Sequence, residues 1–270
     1  MLNFQYPCDV FILAGQSNAE GNGLGESDRA PKRDERALWL YDPQSIAWIK
    51  DENGNDKLTL VYPSDYAVCI AGENKGAGNL AYSFAERYIA SGRLKEGRKL
   101  LFVKAAIGGT GFVKKQWRKG DTLYNRMLDM TDDALALHEG NRLVGFLWHQ
   151  GECDAFECPD MSEEEREQTY FAHFSEMVSS VRARYGVKDL PVIAGGFVSE
   201  WASLYQKECA AVERGTKKAL ETLGWSGFAE AADLQSNNQR TGNGDNIHFC
   251  RDALVTLGER YFEQYEKICK

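Results

Sequence analysis

The stretch Asp9–Gly21, DVFILAGQSNAEG, carries the strongest structural signal in the sequence. It begins with a short continuous apolar run, which is typical of a buried strand, and the run stops at Gly15. A glycine there allows a sharp turn, so the strand would deliver Ser17 to the edge of a sheet. A serine in that position either caps a helix or acts as a nucleophile. This stretch alone leaves both interpretations open.

Apolar, β-rich runs like this one recur along the chain and alternate with helical patterns. The predicted strands are Val10–Ala14, Ala37–Tyr41, Leu100–Ala106, Leu143–His149, Val192–Gly196 and Phe228–Ala232. The predicted helices are Leu80–Ile89, Leu123–Leu137, a helix from the capping box Ser162–Glu165 to about Tyr185, one over about Ser203–Leu223, and Asp252–Ile268. The alternation predicts an α/β protein with a parallel sheet between layers of helices.

Composition narrows the class of protein. We expect one domain over residues 1–270, because the sequence has no Pro/Ser-rich linker, repeat or low-complexity tract. The net charge of -8 argues against a nucleic-acid partner, and no apolar run is long enough to span a membrane. The N-terminal residues lack a basic start and an apolar segment, so we expect a cytoplasmic protein. Nothing in the sequence indicates an oligomeric state.

The cysteines are odd in number and scattered. There are seven, which predicts free thiols in a reducing compartment. His149, Cys153 and Cys158 lie close together in sequence, but no CxxC pair or second histidine pair completes a set of four ligands. We therefore predict no metal site.

Four segments with candidate catalytic or ligand-binding residues follow predicted strands or precede the last helix. They are Gly15–Asn18, Ile107–Gly111, Gln150–Asp154 and Gly244–Phe249. Ligands of parallel sheets bind at the carboxyl ends of the strands. We therefore expect the chemistry of the protein to lie in these segments.

Ser17 needs a base before it can act as a nucleophile. Of the histidines at 138, 149, 173 and 248, His248 follows Asp245 by three residues in a loop. That spacing lets the carboxylate hold Nδ1–H and leaves the other ring nitrogen as a base. An ordinary turn with a capping aspartate explains the same pattern. His149 ends a buried-looking strand and is predicted to be a packed residue.

The segments also offer hydrogen-bond donors for a developing negative charge. Backbone N–H groups at Gly108 and Gly109 are not shielded by a Cβ, and Gln150 has a side-chain amide. A tight turn and a loop anchor are the alternatives for these residues. With the N–H of Ser17 they form a set suited to acyl transfer. Ala19 replaces the second glycine of Gly-x-Ser-x-Gly, which disfavours an α/β-hydrolase elbow.

Four segments resemble the motifs of the SGNH hydrolases, the GDSL-like esterase superfamily, and occur in the same order along the chain as in that superfamily. They are Gly15–Ala19, Gly108–Thr110, Trp148–Asp154 and Asp245–His248. Gln150 stands where the superfamily at large has Asn, in agreement with the branch of sialate O-acetylesterase-type and acetylxylan-esterase-type carbohydrate esterases. The resemblance implies a three-layer α/β/α sandwich with a flavodoxin-like parallel sheet. It implies no metal or organic cofactor.

The resemblance also implies catalytic roles. Ser17 would be the nucleophile, His248 the base and Asp245 the residue that orients His248. Glu152 is the alternative acid partner, or a residue that supports the site from behind. We favour Asp245 because it lies closer to His248 in sequence.

An oxyanion hole is implied as well, formed by the N–H of Ser17, a glycine N–H and the amide of Gln150. Gly108 is the preferred glycine and Gly109 the second choice. We expect the segments Asn22–Gly78 and Phe112–Gly120 to shape the pocket, with Trp117 as a wall. The residues predicted to contact substrate are Gln16, Asn18, Thr110 and Trp117.

The predicted function is that of a serine esterase that removes O-acetyl groups from a carbohydrate, such as a xylan-type glycan or a sialic acid. An esterase for other small acyl esters would share the mechanism. A non-catalytic carbohydrate-binding protein on the same scaffold is the alternative of another class. Its aromatic residues would stack on sugars, at Trp39, Trp48, Tyr62, Trp117 and Trp201.

Overall fold

Seven strands form a mixed sheet at the centre of the molecule. The computed structural model describes residues 4–42, 46–50, 56–60, 67–71 and 77–270. The strands are β1 (Cys8–Gly15), β2 (Ala37–Tyr41), β3 (Ile46–Lys50), β4 (Asp56–Leu60), β5 (Ala67–Ile70), β6 (Lys99–Lys104), β7 (Arg142–His149), β8 (Val192–Gly195) and β9 (Ser226–Ala229). The helices are α1 (Ser17–Glu20), α2 (Leu80–Ala90), α3 (Thr122–Ala136), α4 (Glu152–Phe156), α5 (Glu163–Tyr185), α6 (Ser199–Ala202), α7 (Gln206–Leu223), α8 (Asn237–Thr241) and α9 (Arg251–Ile268).

The sheet has the order β5-β2-β6-β1-β7-β8-β9. All neighbouring strands are parallel except β5, which pairs antiparallel with β2 at one edge. Strands β3 and β4 form a separate antiparallel pair. The predicted α/β class is confirmed, with the correction that the edge strand runs in the opposite direction. Strands β3, β4 and β5 were not among the strands predicted from the sequence, and all three lie in the segment Asn22–Gly78.

Helices cover both faces of the sheet. On one face, Phe11 of β1 packs against Phe84 of α2 and Tyr265 of α9, with ring centroids 5.0 and 5.3 Å away. Trp148 of β7 stacks on Phe174 of α5 at 5.8 Å. Trp148 pairs with the β1 residue three positions beyond Phe11, so the two rings point to opposite faces of the sheet. The three-layer sandwich is therefore confirmed.

Helices α3, α5 and α7 are joined by ion pairs. Arg214 of α7 binds Glu167 of α5 at 2.7 Å, and Arg184 of α5 binds Asp132 of α3. The long helix α5 begins at the predicted capping box, in which the N–H of Glu165 donates to the Ser162 hydroxyl and the N–H of Ser162 donates to the Glu165 carboxylate. Within the described ranges, no helix has the length and apolar character that a bilayer span requires.

Two kinds of element differ from the sequence expectation. The last strand covers residues 226–229 rather than 228–232, because pairing with β8 already begins where Trp225 accepts a bond from the N–H of Val192 (3.0 Å). Helices α1, α4, α6 and α8 were not predicted, since four or five residues are too few to show a helical period.

A buried ionic cluster joins several elements at the end of the sheet where the parallel strands begin. Asp9 of β1 is fully buried and accepts bonds from Arg98 Nε (2.7 Å), Arg142 Nε (2.7 Å) and the Tyr88 hydroxyl (2.8 Å). These partners come from the loop before β6, from β7 and from α2. The Asp9 cluster lies opposite the strand ends at which the four candidate segments were expected.

Candidate active site

The carboxyl ends of β1, β6 and β7 bring three of the four segments together. The N–H of Gln16 donates to the carbonyl of His149 (2.9 Å), and the N–H of Ile107 donates to the carbonyl of Gly15 (3.0 Å). Gly15 has a φ of +128°, and a Cβ there would lie 2.0 Å from the His149 oxygen. Only glycine fits where β1 approaches the end of β7 this closely, which confirms the sharp turn expected before Ser17.

Ser17 is exposed to a cavity at this edge. It is the first residue of α1, whose N-cap is Gln16, so the Ser17 hydroxyl does not cap the helix. The side chain is nearly buried, with 8% exposed. It lines a cavity of about 590 Å³ shared with Gly108, Gly109, Asp245 and His248. The capping interpretation of Ser17 is thus not what the structure shows.

Asp245 and His248 form a hydrogen-bonded pair in the loop before α9. Nδ1 of His248 lies 2.9 Å from each carboxylate oxygen of Asp245. Partial burial by itself would raise the pKa of Asp245, but bonds from Asn237 and His248 outweigh it and hold that pKa below its usual value. Nε2 of His248 has no hydrogen-bond partner among the residues described, which leaves it available as a base.

Asn237 supports this pair and was not identified from the sequence. It is fully buried, and its Nδ2 donates to Asp245 Oδ2 (2.9 Å) and to the carbonyl of Asn22 (2.9 Å). Its Oδ1 accepts the N–H of Leu24 (2.7 Å). The capping box at Ser236 predicts a helix start here, but no local pattern predicts which side chain meets Asp245.

Glu152 does not contact the His248 ring. It is buried, and its Oε1 accepts a bond of 2.6 Å from Asn18 Nδ2. Asn18 in turn donates to the carbonyl of Ile247 (3.1 Å) and accepts the N–H of Phe249 (3.1 Å). Burial raises the pKa of Glu152. Glu152 thus reaches the loop of His248 through Asn18, and Asp245 is the carboxylate that touches the imidazole.

The two candidate glycines differ in what their N–H groups bind. The N–H of Gly108 donates to Oε2 of Glu20 at 3.0 Å. Gly109 has a φ of +70° with open space around it. Within the described part of the chain, no acceptor binds the N–H of Gly109 or of Ser17. The geometry therefore favours Gly109 over Gly108, the reverse of the sequence preference.

Gln150 lies beneath the cavity rather than in its lining. Its Nε2 donates to Asp154 Oδ2 (2.6 Å), to Gln16 Oε1 (3.1 Å) and to the carbonyl of Thr110 (3.1 Å). Asp154 is buried, and burial raises its pKa to about 6. Because a buried carboxylate needs donors, it draws the amide away from the predicted oxyanion hole.

Of the four predicted substrate contacts, only Gln16 lines the cavity. Trp117 is 0% exposed, donates to Thr110 Oγ1 (2.8 Å) and packs edge-on against Trp148. The expectation that it walls the pocket is incorrect, since it is part of the core. Thr110 and Asn18 are buried as well and hold loops in place.

The segment Asn22–Gly78, predicted to shape the pocket, supplies Asn22 and Leu24 to the lining, whereas Glu20 was not indicated by the sequence. All three residues line the cavity of Ser17. A second, more apolar cavity of about 270 Å³ adjoins it, with Phe156, Trp201 and Tyr205 among its walls.

The aromatic residues proposed for sugar stacking differ in whether they line a cavity or belong to the core. Trp201 lines the second cavity, whereas Trp39 is buried against the sheet. Trp48 belongs to β3, where side chains are not described, and Tyr62 lies outside the described residues. Phe156, 55% exposed, was not among the proposed residues, because one exposed ring leaves no pattern in a sequence.

His149 is a packed residue, as predicted. Burial lowers its pKa to about 3, and its Nδ1 lies 2.9 Å from the Tyr261 hydroxyl. Its neighbours Cys153 and Cys158 are free thiols. Nowhere in the described ranges do three histidine, cysteine or acidic side chains meet in a way that could hold a metal.

The molecule therefore combines an α/β/α sandwich with a serine-lined cavity at the ends of its parallel strands. Residues 7–267 match the family described as "Carbohydrate esterase, sialic acid-specific acetylesterase", and the chain therefore belongs to this family of carboxylic ester hydrolases.

Known relatives agree with this assignment. The chain is 25% identical over 272 residues to a probable carbohydrate esterase of Arabidopsis thaliana, covering 96% of this chain and 90% of the relative. The structure of NanS superposes with a TM-score of 0.71 at 18% identity, over 97% of this chain and 98% of that one. A carbohydrate acetylesterase from Xanthomonas citri gives 0.66 at 20% identity, over 96% of this chain and 56% of that one. At these identities the two structures show a shared fold.

Proposed function

We propose that this protein is a serine esterase that removes O-acetyl groups from a carbohydrate through an acyl-enzyme on Ser17. The observation that carries the proposal is that Ser17 and the Asp245–His248 pair line one cavity, although they come from opposite ends of the sequence. Membership of a carbohydrate esterase family supports an acetylated sugar as the substrate.

In the first half-reaction, the Ser17 hydroxyl oxygen attacks the acetyl carbonyl carbon while Nε2 of His248 accepts the proton. Asp245 keeps Nδ1–H directed towards itself and stabilises the imidazolium. The oxyanion then accepts bonds from the free N–H groups of Ser17 and Gly109. Collapse of the tetrahedral intermediate breaks the bond to the sugar oxygen, which takes the proton from His248.

In the second half-reaction, His248 accepts a proton from water, and the hydroxide formed attacks the acetyl group on Ser17. The bond to the Ser17 oxygen breaks, His248 returns the proton to that oxygen, and the product leaves as acetic acid, which ionises to acetate in solution. The enzyme is thereby restored without any further reactant.

Substitution of the nucleophile tests the proposal. We expect Ser17→Ala to lower kcat for p-nitrophenyl acetate and for acetylated xylo-oligosaccharides by about 10³-fold or more, because no other hydroxyl replaces it. Ser91→Ala, at the exposed end of α2, is the matched control and should retain full activity. Circular dichroism would show that both variants fold. Undiminished turnover in the Ser17 variant would refute the assignment.

Covalent labelling separates an esterase from a sugar-binding protein. A fluorophosphonate should react with the activated serine, and peptide mass spectrometry should place the adduct on Ser17. Protein that stays unlabelled, or labelled elsewhere, would contradict an acyl-enzyme at this residue.

The two acids can be ranked by comparing Asp245→Asn with Glu152→Gln. Only Asp245 touches the imidazole, so its variant should lose about 10²–10⁴-fold in kcat. The Glu152 variant should lose less than about tenfold, because it acts through Asn18. A larger loss at Glu152 would reverse these roles.

A further inference from the structure

Glu20 places a carboxylate in the cavity beside the proposed nucleophile. Helix α1 is a single turn, so Glu20, three residues after Ser17, returns to the same side of the helix. The Glu20 carboxylate accepts the N–H of Gly108, and both residues line the cavity of Ser17. A substrate that enters this cavity therefore meets the Glu20 carboxylate.

Among the residues that the structure describes, no positively charged side chain of the lining offsets the charge of Glu20. Glu20 and Asp245 are the carboxylates of this described lining, which contains no lysine or arginine. Asp245 is already bound by His248 and Asn237. Lys104 attracts Glu20, but it lies outside the lining, with its ammonium 5.5 Å from the centre of the Trp39 ring.

We infer that Glu20 determines substrate specificity: the site selects O-acetylated sugars that carry no carboxylate and disfavours acidic sugars. This inference rests on the proposed esterase function. A carboxylate accepts several hydrogen bonds, so Glu20 can bind the hydroxyl groups of a neutral sugar. An acidic sugar brings a second negative charge into the same space, and like charges at close range repel. Family membership alone therefore does not make this chain an enzyme for acidic sugars.

The test uses two substrates that differ only in charge. They are 9-O-acetyl-N-acetylneuraminic acid and its carboxyl methyl ester, and acetate release gives kcat/KM for each. At low salt we expect the parent enzyme to favour the methyl ester by about fivefold or more. Glu20→Gln keeps the shape and removes the charge, so it should reduce that preference below about twofold. Effects that are common to both substrates, such as loss of the hydrogen bond between the Gly108 N–H and Glu20, cancel in the ratio of the two kcat/KM values.

Two controls make the result specific. Glu26 lies six residues after Glu20, is exposed and does not line the cavity. Glu26→Gln should therefore leave the ratio of the two kcat/KM values unchanged. Raising NaCl from 20 to 500 mM, roughly a fivefold shorter screening length, should weaken the preference of the parent enzyme. Equal rates on both substrates, a preference for the acid, or an unchanged ratio in Glu20→Gln would each overturn the inference.

Failure of the inference is distinguishable from failure of the proposed function. Hydrolysis of p-nitrophenyl acetate, which carries no carboxylate, reports the esterase function by itself. If that reaction is absent, calorimetric binding of the deacetylated acid and of its methyl ester gives the same comparison without turnover. If the ratio of the affinities for the acid and for its methyl ester is the same in the parent and in Glu20→Gln, selection by the charge of Glu20 is refuted.

Discussion

At the scale of single residues, Asp245 and Glu152 show how surroundings divide the roles of two carboxylates. Asp245 is half-buried, and the bonds it accepts hold its pKa down. Glu152 is fully buried, its Oε2 has no partner in the described part of the chain, and burial raises its pKa. Sequence spacing favoured Asp245 but could not report burial, which is set by residues distant in the chain.

Glu152→Gln should change how stability depends on pH. In the folded parent, burial raises the pKa of Glu152 above the ordinary glutamate value of about 4.5, so its contribution to stability is full below that value and is lost as pH rises through the folded pKa. Glutamine does not ionise, so the free energy of unfolding of the variant should rise relative to that of the parent as the pH increases above about 4.5. Urea unfolding across this range measures the difference, and a difference that shrinks with rising pH would contradict it.

Trp117→Ala should affect stability rather than substrate binding. It leaves a cavity beside Trp148 and removes the bond to Thr110, at a cost of about 3–5 kcal/mol in the free energy of unfolding. KM of the folded variant should not change. Trp225→Ala, at a side chain that is 51% exposed, is the matched control and should cost less than about 1 kcal/mol. A raised KM with unchanged stability would restore Trp117 as a pocket wall.

At the scale of elements, the long helices and the buried strands were predictable because each contains enough residues to show a period or a continuous apolar run. Strand β5 and the pair β3–β4 were not, since they lie among glycine and polar residues. The residues of the candidate site also fall into a group that was predictable from the sequence and a group that was not. Residue type and spacing predicted Ser17, Asp245 and His248, whereas competition among buried partners decided the placement of Gln150.

Contact between helices α2 and α9 depends on a glycine that the helical pattern did not single out. A Cβ at Gly258 would lie 1.9 Å from the carbonyl oxygen of Leu80. Gly258→Ala should therefore destabilise the protein by about 1–3 kcal/mol, although alanine is the better helix former. Glu221→Ala, at an exposed position of α7, should not destabilise it. Thermal unfolding compares the two, and a more stable Gly258 variant would show that the helices can separate at little cost.

At the scale of the whole molecule, the two ends of the sheet have different roles. The Asp9 cluster joins β1, β7, α2 and the loop before β6 at one end, and the cavity of Ser17 lies at the other. Stability and catalysis are therefore expected to respond to different substitutions.

Asp9→Ala should lower the free energy of unfolding with little effect on kcat. It leaves Arg98 unpaired in a mostly buried position, while Arg142 is 53% exposed, so we expect a loss of about 2–4 kcal/mol. Asp233→Asn, in an exposed pair with Arg260, should cost less than about 1 kcal/mol. Denaturant titration and turnover on the same samples test the separation, which a parallel loss of kcat would disprove.

The hydrogen bonds that join Asn18 to the carbonyl of Ile247 and to the N–H of Phe249 have a consequence for biosynthesis. Ribosomes release the amino-terminal half of a chain long before the carboxyl-terminal part is made. A nascent polypeptide that already displays its serine would stay inert towards esters until the segment with the imidazole has left the exit tunnel. Under the proposed mechanism, ester cleavage can therefore begin only after both segments have been made.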